Sequence, residues 1–223
     1  MSTTIAALTL TVDGSEPLSA ATVRAVQELC DRAEDGAAHG PLAVHATGTP
    51  RGDWTGTLDV MLVSKWERAL RRLERLPLAT VAVADGDCGG TALDAFLAAD
   101  VRAVTPGTRL LVARDETGTW PGMAGYRLVQ LAGAAGVRRA VLFGLPVEGP
   151  EALRLGLADD LVDDPAAAVA AVAGLTSGLA GKELAIRRQL LFDAATTSFE
   201  DALGPHLAAC DRALRTTAGE AAS

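Results

Sequence analysis

One segment, residues 78–100, limits the possible folds more than any other part of the chain. It reads LATVAVADGDCGGTALDAFLAAD and joins an apolar run to an amphipathic run through glycine. The apolar run predicts a strand over residues 80–84, and the glycine- and acid-rich piece predicts a turn over residues 85–90. A helix should then begin near Thr91, with three inward-facing side chains at helical spacing: Leu93, Phe96 and Leu97.

The predicted turn also has chemical meaning, because a helix start leaves backbone N–H groups without partners and carries partial positive charge. Such a site favours an oxygen that bears negative charge. Gly86, Gly89 and Gly90 allow positive φ and a close approach by a ligand. Strand–glycine–helix junctions are also common in α/β proteins, so a purely structural turn is the simpler interpretation of this segment alone.

The size and charge of the chain limit its class. With 223 residues, of which 49% are hydrophobic and 4% aromatic, it suits one sizeable domain packed from small aliphatic side chains. A net charge of −8 argues against a nucleic-acid partner. Four arginines cluster within one predicted helix: Arg68, Arg71, Arg72 and Arg75. They are interleaved with Glu67 and Glu74, which indicates a solvated helix face or, alternatively, a patch that binds an anionic ligand.

The few cysteines and histidines indicate neither disulfides nor a metal site. Cys30, Cys88 and Cys210 are odd in number and widely spaced, as expected of reduced thiols in a cytoplasmic protein. Cys88 has no histidine near it in sequence, so we interpret it as a structural thiol and not a nucleophile. We expect no metal, since the three histidines lack metal-ligand spacing; they are His39, His45 and His206. No apolar run is long enough to cross a membrane, and the N-terminus reads as a strand and not a signal peptide.

Periodicity predicts an alternating order of strands and helices in the first half of the chain. Strands are predicted at residues 5–12 and 42–47, and a helix from Ala20 to about Glu34 begins after Ser19 as its N-cap. A second helix is predicted at 58–76, ended by Pro77. A strand–helix–strand opening requires a crossover, and the sheet should therefore be parallel.

The second half is predicted to become helical. Two short strands flank Pro106 and Gly107. After them we predict short helices at 127–131, 137–142 and 151–155, an apolar piece at 161–162, and two or three alanine-rich helices over 165–214 with breaks at 174–181 and 204–205. No linker separates a second domain, so residues 1–163 form the predicted core and residues 164–223 a C-terminal helical region of the same unit.

Two blocks of sequence carry a family resemblance. VAVADGDCGGTALDAFLAADVRAVT and GTWPGMAGYRLVQLAGAAGVRRAVLFGLPVEGPEALRLGLADDLVD resemble, in order and spacing, the two motif blocks of the crotonase, or enoyl-CoA hydratase/isomerase, superfamily. The resemblance implies an α/β fold built as a spiral of strand–strand–helix turns. It also implies C-terminal helices that cover the core and pack at subunit contacts, usually in trimers or hexamers.

The resemblance further implies a site for an acyl-CoA thioester, with no separate cofactor. Two backbone N–H groups would form an oxyanion hole, at Thr91 and at Thr55 beside Gly56. Asp94 holds the position of the family's first acid/base glutamate, one methylene shorter. Arg114 holds the second position, so Asp115 or Glu116 would have to shift to supply a second carboxylate. The implied substrate pocket includes Trp54, Gly56, Gly90, Arg114, Trp120 and Met123.

Three further phrases are similar to one branch of this superfamily, which serves 3,5-dihydroxyphenylglycine biosynthesis: PLSAATVRAVQELCDRAED, LVSKWERALRRLERLPLATVAVADG and LADDLVDDP. In that branch a type III polyketide synthase condenses malonyl-CoA, and the crotonase-like protein assists dehydration of the cyclised polyketide thioester. The resemblance implies two kinds of partner, the type III polyketide synthase and other crotonases of the same pathway. Two alternatives remain open: an ordinary enoyl-CoA hydratase or isomerase, and a non-catalytic protein that stabilises the synthase.

Overall fold

A mainly parallel sheet covered by helices forms the body of the protein, and the predicted α/β fold is confirmed. The computed structural model describes residues 8–36, 40–176 and 181–221. The strands lie in the order β1-β2-β3-β4-β7, all parallel, with β5 joined to the end of β3 and β6 antiparallel to β5. They are β1 (Thr9–Asp13), β2 (Leu42–Gly48), β3 (Thr80–Gly89), β4 (Val101–Val104), β5 (Arg109–Leu111), β6 (Val147–Glu148) and β7 (Asp160–Leu161).

The helices follow the predicted order closely in the first half of the chain. They are α1 (Ala20–Glu34), α2 (Val60–Leu73), α3 (Thr91–Leu97), α4 (Met123–Phe143), α5 (Gly149–Arg154), α6 (Pro165–Leu175), α7 (Lys182–Ala194) and α8 (Phe199–Ala221). Helix α1 has the predicted bounds, and the Ser19 hydroxyl accepts the Thr22 N–H at 3.2 Å as its N-cap. Helix α2 starts later than predicted because the Asp59 carboxylate caps it.

The turn predicted over residues 85–90 is wrong, since β3 continues through it to Gly89. Asp87, Cys88 and Gly89 pair with β5. Local sequence hid this, because the partner strand lies more than 20 residues further along the chain. Of the three glycines, Gly86 and Gly90 have positive φ and Gly89 does not. Gly89 is required for a close approach, because a Cβ there would lie 2.4 Å from Thr49 Oγ1.

Two predicted helix boundaries also need correction. The helices predicted at 127–131 and 137–142 belong to one helix, α4, which is bent at Gly133 where φ is 70°. The helix break predicted at 204–205 is wrong, because α8 runs through Pro205. The helical structure is instead interrupted between Ala194, where α7 ends, and Phe199, where α8 begins. There the Ser198 hydroxyl accepts the Asp201 N–H at 3.2 Å, and this cap places the helix start. The predicted strand residues 5–7 and His39 lie outside the described residues.

The hydrophobic core lies between the sheet and helices α1 to α4, and small aliphatic side chains dominate it. Its two largest members, Trp66 of α2 and Phe96 of α3, are at most 1% exposed. Helix α3 is almost entirely buried, including Thr91 at its start. The helix start that sequence analysis singled out therefore lies inside the protein, where electrostatic interactions are stronger than in water.

A buried arginine fixes the C-terminal helices to this core. Arg188 of α7 is 5% exposed, and its Nε and Nη2 donate to the two carboxylate oxygens of Asp100 at 2.6 Å. Its Nη1 and Nη2 also donate to the carbonyls of Leu76 and Leu78. Asp100 Oδ2 in turn accepts the Thr80 N–H at 2.9 Å. Sequence analysis did not single out Arg188.

Within the described ranges, no helix is long and apolar enough to span a membrane.

Candidate active site

The start of α3 provides the backbone part of the candidate site. Gly90, with φ 55°, directly precedes Thr91, and no side chain caps the helix. The first N–H groups of a helix have no partner within it, so these groups can serve a ligand. Gly90 lies tightly against Pro50, because a Cβ on Gly90 would approach Pro50 Cγ to 2.5 Å. Pro50 therefore packs closely against the residue that precedes the helix start.

A small, mainly apolar cavity of about 40 Å³ opens at this helix start. A volume of that size holds one or two water-sized groups. All three tryptophans of the chain line it, and Glu67, Thr91 and Asp94 are among its few polar side chains. The lining residues are Glu16, Pro17, Leu18, Pro50, Trp54, Leu58, Val63, Trp66, Glu67, Gly90, Thr91, Asp94, Trp120 and Gly122.

Trp54 and Trp120 form one wall of the cavity. Their rings meet edge to face with centroids 5.3 Å apart, a favourable aromatic geometry. Trp54 Nε1 donates to the Arg114 carbonyl at 2.8 Å, and the Trp120 N–H donates to the Ala113 carbonyl at 2.8 Å. The indole N–H of Trp54 and the backbone N–H of Trp120 are therefore satisfied by backbone carbonyls, and both rings line the cavity.

Asp94 is the group in the cavity best suited to move a proton. Its Oδ2 accepts a hydrogen bond from Trp66 Nε1 at 3.1 Å. Burial, and next the negative charge of Glu67, raise the pKa of Asp94 from 3.8 to about 7, while the Trp66 hydrogen bond and Arg127 act in the opposite direction. An acid with this pKa is present in both protonation states near neutral pH, as efficient general acid–base catalysis requires.

Glu67 is a second carboxylate in the same cavity, and sequence analysis missed it. Burial raises the pKa of Glu67, and Arg127 opposes the effect. Arg127 is 9% exposed; its Nη1 donates to Glu67 Oε2 and its Nε to Glu74 Oε1, both at 2.9 Å. The interpretation of Glu67 and Glu74 as part of a solvated, arginine-rich face is wrong, because both side chains are largely buried. Their spacing of seven residues, which puts both on the face that also carries the buried Trp66, was the signal available in the sequence.

The structure brings some of the predicted site residues to the cavity and leaves others away from it. Five line the cavity: Trp54, Gly90, Thr91, Asp94 and Trp120. Thr55, Gly56, Arg114 and Met123 do not line it. The Thr55 carbonyl accepts the Leu58 N–H at 2.9 Å in a turn, and Arg114 Nη1 donates to the Phe143 carbonyl at 3.1 Å. Met123 lies at the start of α4 and is 41% exposed.

The two acids considered as substitutes for the second glutamate are also outside the cavity. The carboxylate of Asp115 accepts hydrogen bonds from the Thr117 N–H at 2.7 Å and the Gly118 N–H at 3.1 Å, and so closes its own loop. Glu116 is exposed beside it. A pair made of Asp94 with either acid is therefore not assembled in this structure.

The remaining candidate groups have structural surroundings. Cys88 is fully buried, and burial raises its pKa, which disfavours the reactive thiolate. In the arginine cluster, Arg72 contacts Asp31 at 2.7 Å and Glu34 at 2.6 Å, and Arg71 contacts Glu74 at 2.7 Å. Across the residues that the structure describes, no three His, Cys, Asp or Glu side chains lie close enough to share a metal ion.

Replacing Gly90 by alanine is expected to destabilise the protein by about 2–5 kcal/mol, because a strained positive φ costs about 1–2 kcal/mol and overpacking about 1–3 kcal/mol. Gly86→Ala is the matched control: φ is 70° there, but no atom lies within 4 Å of the added Cβ. Urea unfolding of both variants measures the difference. Equal losses of stability would contradict the close contact between Gly90 and Pro50.

Comparisons with known proteins agree with this architecture over nearly the whole chain. A protein from Amycolatopsis orientalis named enoyl-CoA-hydratase is 59% identical over 208 residues, which are 93% of this chain and 96% of that protein. The structure of an enoyl-CoA hydratase/isomerase from Marinobacter aquaeolei matches this chain with a TM-score of 0.78 at 14% identity. The matched region covers 93% of this chain and 87% of the Marinobacter chain. A Silicibacter pomeroyi protein of the same family has a TM-score of 0.75 at 20% identity, over 94% and 96%. No protein-family model matches the chain.

Proposed function

The chain belongs to the crotonase, or enoyl-CoA hydratase/isomerase, superfamily, and on that premise we propose that it removes water from a polyketide-derived acyl-CoA thioester. In this role it assists a type III polyketide synthase in forming 3,5-dihydroxyphenylacetyl-CoA from malonyl-CoA. The observation that carries the proposal is Asp94, a buried acid with a pKa of about 7, in a cavity at an uncapped helix start. No cofactor beyond the thioester is needed.

The chemistry follows from the groups in the cavity. Loss of water next to a thioester passes through an enolate, whose oxygen carries the developing charge. We propose that the Thr91 N–H at the start of α3 donates to that oxygen, and one such donor commonly lowers a barrier by about 3–4 kcal/mol. Thr55, the second proposed donor, lies outside the cavity lining in this structure and directly follows Trp54 in the chain. Asp94 moves a proton during the loss of water.

The tryptophan lining favours an aromatic or nearly aromatic acyl group. Rings stack well on indole faces and edges, and three indoles converge at this cavity. A cyclised polyketide is larger than about 40 Å³, so we propose that the loops carrying Trp54 and Trp120 move outward when it binds. The product becomes aromatic once water is lost, which supplies driving force to a site with a weak acid–base apparatus.

The assembly proposed for the protein is a homo-oligomer, a trimer or hexamer, that also contacts the synthase. Large apolar side chains on the C-terminal helices are exposed, and such patches mark protein interfaces. The most exposed among them are Leu175, Leu191, Phe199, Leu207 and Leu214, each more than half exposed. Burial of these residues between subunits would place the C-terminal helices at the interface.

Reconstitution tests the proposed function. The synthase is incubated with malonyl-CoA, with and without this protein, and the yield of 3,5-dihydroxyphenylacetyl-CoA is measured. We expect the protein to raise the yield relative to the synthase alone. An unchanged yield would contradict the proposal.

An ordinary enoyl-CoA hydratase is the second candidate, favoured by the presence of two carboxylates, Asp94 and Glu67, in one cavity. Hydration of crotonyl-CoA at a rate comparable to that of the synthase-coupled reaction would support it. The third role, a non-catalytic partner of the synthase, would be supported if Asp94→Ala still raised the product yield fully.

A further inference from the structure

We propose that Glu67 is the second proton-transfer residue of this cavity, acting together with Asp94. The inference rests on the proposed function, because loss or addition of water requires two proton transfers, one at carbon and one at oxygen. The resemblance placed Arg114 where a second carboxylate is expected, and Asp115 and Glu116 face away. Helix α2, from a different part of the chain, supplies the carboxylate instead.

Helix α2 brings Glu67 and the partner of Asp94 to the same place. Val63, Trp66 and Glu67 lie on one face of α2, and all three line the cavity. Trp66 donates its indole N–H to Asp94 at 3.1 Å. The residue next to Trp66 is thus a carboxylate that faces the same small space, close enough for its charge to act on Asp94.

Arg127 positions Glu67. Its guanidinium contacts Glu67 Oε2 at 2.9 Å and Glu74 Oε1 at 2.9 Å, and so holds the Glu67 side chain in place. Arg127 contacts Glu67 through Oε2. Oε1 is therefore the oxygen available to a substrate proton, while Oε2 holds the orientation.

The arrangement assigns a direction to each proton. Arg127 pairs with Glu67 at 2.9 Å and favours its ionised form, whereas the Asp94 carboxylate accepts its hydrogen bond from the neutral Trp66 indole. Glu67 accepts the proton from Cα as the Cα–H bond breaks, and that electron pair forms the thioester enolate. The enolate then returns the pair to form the Cα–Cβ double bond as the β-hydroxyl leaves. Asp94 donates its proton to the β-hydroxyl as the Cβ–O bond breaks, and water leaves. Glu67 has then gained one proton and Asp94 has lost one, and exchange with solvent restores both.

Other ionisable groups also lie near Glu67 and Asp94. Glu16 lies at the cavity lining on the chain before α1, and Cys88 lies near Asp94 on β3. Glu74 shares Arg127 with Glu67 but is not part of the lining. Glu74 is therefore the matched control, since its replacement disturbs Arg127 without removing a carboxylate from the cavity.

The activity test compares Glu67→Gln with Glu74→Gln in the reconstituted reaction. We expect kcat to fall about 100-fold or more in Glu67→Gln with KM nearly unchanged, because general acid–base groups contribute about 100- to 10,000-fold. Glu74→Gln should stay within about threefold of wild type. The acidic limb of the kcat/KM profile should also be lost in Glu67→Gln alone. Full activity of Glu67→Gln, or equal losses in both variants, would overturn the proposal.

A second readout does not depend on turnover. The Trp66 indole N–H resonance reports the ionisation of Asp94, to which it is bonded. Because the charge of Glu67 raises the pKa of Asp94, the midpoint of this titration should move to lower pH in Glu67→Gln and much less in Glu74→Gln. An unchanged midpoint in Glu67→Gln would overturn the proposal. An inactive wild type would instead refute the proposed function, whereas an active wild type with a fully active Glu67→Gln refutes only the role of Glu67.

Discussion

Replacing Asp94 by asparagine is expected to lower the protein's contribution to product formation by about 100- to 10,000-fold. The substitution keeps the shape of the side chain and an oxygen that can accept the Trp66 indole N–H, now at 3.1 Å. It removes the only proton that Asp94 can give or take. The loss should appear in kcat, because the proton moves in the transition state and the cavity lining is otherwise unchanged.

The same variant is expected to be more stable than wild type at neutral and alkaline pH. The pKa of Asp94 is raised from 3.8 to about 7 in the folded protein, so the folded state binds more protons than the unfolded state between these values. Stability from this group therefore falls as pH rises from about 4 to about 7, by at most about 4 kcal/mol at about 1.4 kcal/mol per pH unit. Asparagine avoids this cost, and Asp94→Asn should gain roughly 2 kcal/mol at pH 8.

Loss of activity together with gain of stability separates chemistry from misfolding. Asp87→Asn is the matched control, because Asp87 is an acid on β3 that pairs with Arg109 outside the cavity. Product yield and urea unfolding at pH 5 and pH 8 are measured for wild type and both variants. Full activity of Asp94→Asn would contradict proton transfer by Asp94 and would favour the non-catalytic role.

Replacing Arg188 by alanine is expected to destabilise the fold by about 3–5 kcal/mol, the usual result of removing one partner of a buried ion pair. Arg188 satisfies the Asp100 carboxylate and the carbonyls of Leu76 and Leu78 at once. Its removal leaves the Asp100 charge without its cation and both carbonyls without this donor. Helix α7 should then detach from the segment that leads into β3.

The adjacent residue provides the control for this prediction. Arg187 is exposed and contacts Glu183 at 2.9 Å one turn away, a geometry that contributes about 0.3–0.5 kcal/mol. Urea unfolding of Arg187→Ala and Arg188→Ala, with hydrogen exchange of the α7 amides, measures the two effects. Similar losses of stability in both variants would show that Arg188 does not fix α7 to the core.

The sequence predicts correctly those elements whose start and end depend on neighbouring residues. The hydroxyl of Ser19 and the apolar spacing that follows it define α1 correctly. Gly90 and the apolar residues after it define the start of α3, because a positive φ and a buried face are both readable from residue type. The parallel order of the first strands followed from the strand–helix–strand pattern.

Features that depend on distant partners could not be read in this way. The extension of β3 to Gly89 exists because β5 pairs with it. The position of Glu67 in the cavity depends on Arg127, 60 residues away, which compensates its charge in the interior. Charge interleaving along α2 favoured an exposed face for all of its acids, whereas tertiary ion pairs put Glu67 and Glu74 on the buried side.

The most direct test of the account is whether an acyl-CoA thioester enters the cavity at the start of α3. All three tryptophans of the chain line this cavity, so every indole N–H resonance of the protein reports on it. Protein labelled with ¹⁵N at its indoles is titrated with acetoacetyl-CoA, and free CoA serves as the control. We predict saturable shifts of the Trp54, Trp66 and Trp120 resonances with the thioester. Saturable binding that leaves all three resonances unmoved, or no binding at millimolar thioester, would contradict the account.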